Sequence, residues 1–192
     1  MDAWEQRLQI STYDIQREVL PNMGASLPAG EFVSVEMESI ALSQTTGTTV
    51  AVVLDRDCGV DYMIHDSDTG LTTTLATRVS YSTEPAFATF TVGERELAKR
   101  RRELEAAEAI GPYYTVQGTI TAPQTGTFVF GAVVVTRDLI TFIDDFPGRV
   151  RQRRNSTSGK AFIAVAVSDL RDQGLWVGVN VAPNAGPILG WP

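Results

Sequence analysis

The residues able to do chemistry in this chain are few, and they gather between positions 55 and 70. There is one histidine, His65, and one cysteine, Cys58, seven positions apart across a turn. That spacing permits a thiolate–imidazole pair. Nothing around the two resembles the rest of a nucleophile site, and a small buried cysteine beside a strand-end histidine accounts for both. A Ser-His-Asp triad would have to be built on His65 alone, and a multi-histidine metal centre has no ligands to draw on. Asp55, Asp57 and Asp61 share one loop, and Asp66 and Asp68 precede Gly70 on the next. They resemble fragments of oxygen-ligand calcium loops, but no EF-hand is completed. Aspartate is also an ordinary turn residue. These five are the candidates for a cation, shared by two acidic loops that flank one short strand. No Gly-rich phosphate loop, Walker motif or metal-finger spacing is present. The expectation is a protein that is not an enzyme and carries no cofactor.

A second group is basic. Residues 149–160, RVRQRRNSTSGK, contain no acidic side chain. Arg149, Arg151 and Arg153 alternate, so an edge strand would carry all three on one face, with Arg154 beside them. A charged edge also blocks sheet-to-sheet aggregation. Asn155-Ser156-Thr157 is a glycosylation sequon. The run Arg100-Arg101-Arg102 is interleaved with glutamates and reads as a solvated helix face. With a net charge of −7, general nucleic-acid binding is disfavoured, because phosphate neutralisation needs a basic surface; only the 149–160 patch is open to it. Arginine outnumbers lysine fourteen to two, a bias resembling that of proteins from GC-rich or salt-loving organisms.

The elements that must position these groups read mainly as strands. The clearest is the hairpin Tyr113–Thr136, YYTVQGTITAPQTGTFVFGAVVVT, turning at Pro123-Gln124-Thr125-Gly126. On its first arm Tyr114, Val116, Gly118 and Ile120 face one way, and Thr115, Gln117, Thr119 and Thr121 the other. The Thr and Gln face requires a partner, water or a neighbouring subunit. The run Val133-Val134-Val135 indicates a strand covered on both faces. Further strands are expected over 31–42, 49–54, 60–65, 71–81, 87–92, 161–167 and 175–181, with turns at intervals of roughly eight to twelve residues, the pattern of a sandwich or barrel. Residues 139–143 fit a strand or a short helix. A charged helix interrupts the β pattern at about 92–110, with capping-box spacing at Thr91 and Glu94 and a stop at Gly111-Pro112. The fold class is therefore all-β, a two-sheet antiparallel sandwich of single jelly-roll type.

The ends differ from the middle. Trp4, Leu8, Ser11, Ile15 and Val19 form a stripe at helical spacing that Pro21 would stop, giving either a helix packed on its own sheet or an arm docked on a neighbour. The tail carries Ile188, Leu189 and Trp191 among three prolines, and must cover its own sheet or an adjacent subunit. This divides the chain into 1–30, a helical arm and linker, 31–182, the sandwich, and 183–192, the tail. Met1–Glu5 lacks the basic and apolar regions of a signal peptide, and no apolar run approaches the roughly 20 residues that span a bilayer.

In outline, the hairpin, the helix inserted between β-runs and the arms at both ends resemble small single jelly-roll capsid proteins, such as those of icosahedral internal-membrane viruses of haloarchaea. The resemblance implies a virion protein that assembles in many copies with itself and with other virion proteins, locked through edges and terminal arms, with Arg149, Arg151, Arg153, Arg154, Ile188, Leu189 and Trp191 as contact residues and a peripheral contact with a virion membrane open to it. A tail, turret or spike component is a close variant. The competing class is a carbohydrate-binding or adhesion module, for which Tyr62, Tyr81, Tyr113, Tyr114, Trp176 and Trp191 are the candidate aromatics.

Overall fold

The N-terminal stripe forms helix α1 (Ala3–Asp14), which runs on through a π-helical turn, Ile15–Val19, into the short α2 (Leu20–Met23). Pro21 does not end the run as expected. It lies inside the helical run, where the π-helical turn passes into α2. In this computed structural model the described residues are 3–35, 59–82, 86–105, 111–155 and 159–189. The strand expected at 49–54, most of that at 31–42, Asp55, Asp57, Cys58, the Ser-Thr of the sequon and Trp191 lie outside them.

The strands are β1 (Glu31–Ser34), β2 (Tyr62–His65), β3 (Thr72–Tyr81), β4 (Ala86–Phe87) and β5 (Thr89–Gly93), followed by helix α3 (Glu94–Glu105). Next come the hairpin strands β6 (Tyr114–Ile120) and β7 (Phe128–Val135), and helix α4 (Thr136–Asp145), which settles the 139–143 ambiguity as helix. The chain closes with β8 (Arg151–Arg154), β9 (Ala161–Ala166), helix α5 (Val167–Asp172), β10 (Val177–Val181) and β11 (Ile188–Leu189).

The principal sheet has six strands in the order β1-β2-β3-β6-β7-β10. Four of its pairings are antiparallel, but β3 and β6 run parallel, with Leu75 opposite Tyr114 and Tyr81 opposite Ile120. The sheet is therefore mixed and not all-antiparallel as expected. The cause is the connection between them: a parallel return needs a long crossover, and β4, β5 and the charged helix α3 provide it. A second sheet holds β5-β9-β8, and a third pairs β4 with β11 in parallel.

Both faces of the six-stranded sheet are covered. On one, Ile15, Val19, Leu20, Met23 and Leu27 pack against Ile64, Leu75, Val116, Ile120, Phe128 and Val133. Each such burial contributes about 1.5–3 kcal/mol, so the N-terminal helix is held by its own sheet. On the other face, Phe130, Ala132 and Val134 meet Phe90 and Val165 of the second sheet, Phe142 of α4 and Leu170 of α5. That double cover explains why β7 is buried along nearly its whole length. The Thr and Gln face of β6 finds its partner within the chain: Gln117 Oε1 accepts from Thr91 Oγ1 at 3.0 Å, and its Nε2 donates to Ser80 Oγ at 3.0 Å.

One pairing sets how closely the helix can approach. Gly118 lies directly opposite Gly131 across the hairpin, and a Cβ on either would strike the helix, Val19 Cγ2 in the first case and Met23 Sδ at 2.5 Å in the second. The two bare positions make a notch in the sheet, and the π-helical turn and α2 fill it.

Candidate functional site

Of the chemistry-bearing residues read from the sequence, those described, Asp61, His65, Asp66 and Asp68, do not converge on one site. Asp61 precedes β2 and Asp66 follows it, so about 3.3 Å per residue puts them on the order of 16 Å apart, too far to share one ion. Asp66 has a local role: its Oδ1 accepts the N–H of Asp68 at 2.9 Å and its Oδ2 the hydroxyl of Thr69 at 2.7 Å. The Thr69 hydroxyl first, and then the backbone N–H groups of Asp68 and Thr69, hold this carboxyl below its ordinary pKa. Asp68 is exposed. His65 is exposed at the end of β2 with Nδ1 3.3 Å from Thr72 Oγ1. Among the described residues no group of three or more His, Cys, Asp or Glu side chains could hold a metal ion together.

A different set does converge. Between the six-stranded sheet, β5, α3 and α4 lies a cavity of about 310 Å³. Asp61, Arg78, Glu96 and Arg100 are the charged residues of its lining, and Val92, Leu139 and Ile140 are part of its apolar lining. Strand alternation turns Arg78 towards α3, where Nη1 donates to the Thr91 carbonyl at 3.0 Å and to Glu96 Oε2 at 3.2 Å. Glu96 Oε2 also accepts the Gly93 N–H at 2.8 Å. This is one half of a capping box on Gly93, two residues further on than the expected Thr91–Glu94 pair, because β5 runs through Gly93 and Thr91 is engaged by Gln117. Arg100, one turn further along α3, donates from Nη2 to the Gly59 carbonyl at 2.8 Å. Asp61 Oδ2 accepts the Thr77 N–H and, at 3.3 Å, its hydroxyl. The arrangement gathers charges of both signs around one cavity.

No family model, curated protein or solved structure matches this chain.

The surface residues named from the sequence are placed as follows. Arg151, Gln152, Arg153 and Arg154 are all exposed on β8, whose one hydrogen-bonded neighbour among the described residues is β9. Arg149 falls outside that strand, in the 3-10 turn Pro147–Arg149, because Pro147-Gly148 delays the strand's start; its Nη1 is 4.0 Å from Asp169 Oδ1. In the tail, Ile188 packs on the core while Leu189, opposite the exposed Phe87, remains 46 % exposed. Of the aromatic candidates, Tyr62 is buried and Tyr81 donates to Asp14 at 3.0 Å. Tyr113, Tyr114 and Trp176 come together: ring centroids lie 4.7 Å apart for the first pair and 6.0 Å for the second. Of the cavity's charged residues the sequence singles out Asp61 alone, as a cation candidate; Arg78, Glu96 and Arg100 carry no signal beyond a strand position and a charged helix face.

Proposed function

We propose that this chain is a virion structural protein, a shell subunit that assembles in many copies with itself and with other virion proteins. The observation that carries this reading is the outer edge of β8. Among the described residues its backbone has no strand partner, and it carries exposed Arg151, Arg153 and Arg154 on a chain whose net charge is −7. A basic edge on an otherwise acidic molecule is complementary to a different patch of the next copy, which makes a head-to-tail contact, the kind that closes into rings or shells. The apolar pair Phe87 and Leu189, exposed beside each other at the C-terminal end, supplies a second contact of the kind such subunits use. Two β layers sharing a core support the single jelly-roll reading, with the parallel β3–β6 pair as its departure from the usual pattern. A tail, turret or spike subunit would use the same surfaces.

Light scattering on the full chain across salt and protein concentration tests this. Closed or sheet-like assemblies are expected, weakened by salt and abolished in Arg151→Glu/Arg153→Glu with the melting temperature preserved. A strictly monomeric chain at every concentration, alone and with co-expressed virion proteins, would overturn it.

One observation favours a second reading, a carbohydrate-binding module. Tyr113 and Trp176 are 57 % and 50 % exposed around the half-buried Tyr114, and exposed rings of this kind are surfaces on which sugar faces stack. Binding to a glycan array that Trp176→Ala removes would select it.

A further inference from the structure

The chain carries two basic runs, and the fold treats them differently. Lys99-Arg100-Arg101-Arg102 lies within helix α3, where Arg100 donates to the Gly59 carbonyl and Arg101 to Asp144. Arg151-Gln152-Arg153-Arg154 is extended as β8 and exposed at all four positions. An endoprotease takes its substrate as an added extended strand, so the helical run does not fit one and the edge strand does. The backbone agrees. The Asn155 N–H donates to the Lys160 carbonyl at 2.9 Å, and antiparallel bonding alternates from residue to residue. With Arg151 opposite Ala164 and Arg153 opposite Phe162, residues 151, 153 and 155 turn their backbone groups to β9, while Gln152 and Arg154 turn theirs outward. No strand takes up those outward groups among the described residues. Relative to the bond after Arg154 they belong to the third and first residues, the two that a serine endoprotease holds by backbone hydrogen bonds. Arginine then occupies the first, second and fourth positions before that bond, a charge pattern complementary to acidic pockets on an enzyme. Since β8 buries no side chain, lifting it from β9 costs little. Arg154 Nη1 adds one exposed bond to the Gly159 carbonyl at 3.3 Å. The turn that follows β8 has Asn155, Gly159 and Lys160 exposed, the setting in which chains are nicked.

We propose that β8 is a proteolytic processing site, cut between Arg154 and Asn155 by an endoprotease whose acidic pockets accept arginine. Water adds across the peptide bond, leaving a carboxylate on Arg154 and an ammonium on Asn155. The cut chain stays together, because Ile163, Val165, Leu170 and Val177 hold the second piece in the core. This does not rest on the virion reading: the cut is read on single chains, and assembly is not measured.

The test is digestion of the full chain at low protein concentration with an endoprotease that requires arginine at the first and fourth positions before the cut. Trypsin, which is offered all sixteen lysines and arginines, is used in parallel. Mass spectrometry should find one early cut with the first enzyme, giving pieces 1–154 and 155–192 that elute together without denaturant. The earliest tryptic cuts should fall within 149–154. Arg151→Gln should slow the first enzyme by about tenfold or more, because one charged pocket is left unanswered. Trypsin should still cut this variant after Arg154 at the original rate, which also shows that the substitution leaves the fold unchanged. An intact chain, a first cut elsewhere such as after Arg102, or equal rates for Arg151→Gln and the unmodified protein with the first enzyme would each overturn the proposal.

Discussion

The Asp14 carboxylate accepts the backbone N–H of Gln124 through both oxygens, at 2.9 and 3.0 Å, across 110 positions of sequence. Two neighbours on the same helical run complete the contact. Arg17 donates from Nη1 to the Gln124 carbonyl and from Nη2 to the Gly126 carbonyl, each at 2.6 Å, and Glu18 Oε2 accepts the Phe128 N–H at 3.0 Å. Gln124 has a φ of 62°, a conformation that a non-glycine residue keeps only when its surroundings impose it. The side chains Asp14, Arg17 and Glu18 do so, and they tie the hairpin turn to the N-terminal helix.

Asp14 is fully buried, and its removal takes the acceptor from the Gln124 N–H and from the Tyr81 hydroxyl. Asp14→Ala is expected to lower stability by about 1–3 kcal/mol. Urea unfolding measures it, and a loss under about 0.5 kcal/mol would mean that the contact carries no energy.

Gly118→Ala places a methyl group against Val19 and should cost about 1–3 kcal/mol as an overpacking change. Val19→Ala in the same chain should recover part of that loss, since the two share one contact. Strict additivity in the double mutant would contradict the notch described above.

Tyr81 gives a pH dependence. Burial, and then its bond to Asp14, push its hydroxyl pKa up from 10.0. The folded protein thus holds this proton more tightly than the unfolded chain. The resulting stability is complete below about pH 10 and is lost as pH rises through and above that value. Tyr81→Phe should therefore be less stable at neutral pH but show a shallower decline between pH 10 and 11.5. Parallel declines in the two proteins would remove Tyr81 from the account.

Arg101 and Asp144 join α3 to α4, with Nε to Oδ1 at 2.9 Å, but both side chains are more than two-fifths exposed. Exposed pairs contribute little, so Asp144→Asn should change the urea midpoint by less than the equivalent of about 1 kcal/mol. A larger loss would show that the α3–α4 contact is cooperative with the core beneath it.

The local elements were legible because their signals are local. The 113–136 hairpin, the charged helix and the polar edge at 151–154 all follow from periodicity, turn residues and charge. What escaped depended on distant partners. The alternation of Thr115, Gln117 and Thr119 indicates a polar face but not that Thr91 and Ser80 would satisfy Gln117. The Val167–Asp172 helix is too short to show a period. The parallel β3–β6 pair depends on how a crossover packs, which no motif encodes. The cavity draws Asp61, Arg78, Glu96 and Leu139 from four separate segments, and of these only Asp61 stands out in the sequence, for a different chemistry.

The notch at Gly118 and Gly131 has a consequence for synthesis. A ribosome delivers the N-terminal helix first, and the glycine pair that receives Val19 and Met23 comes roughly a hundred residues later, several seconds at about 5–20 residues per second. For that interval only the Tyr62, Ile64 and Leu75 part of the surface it covers has been made. The helix is thus locked only once the hairpin follows, and a chaperone or a nascent neighbour has its opportunity before then.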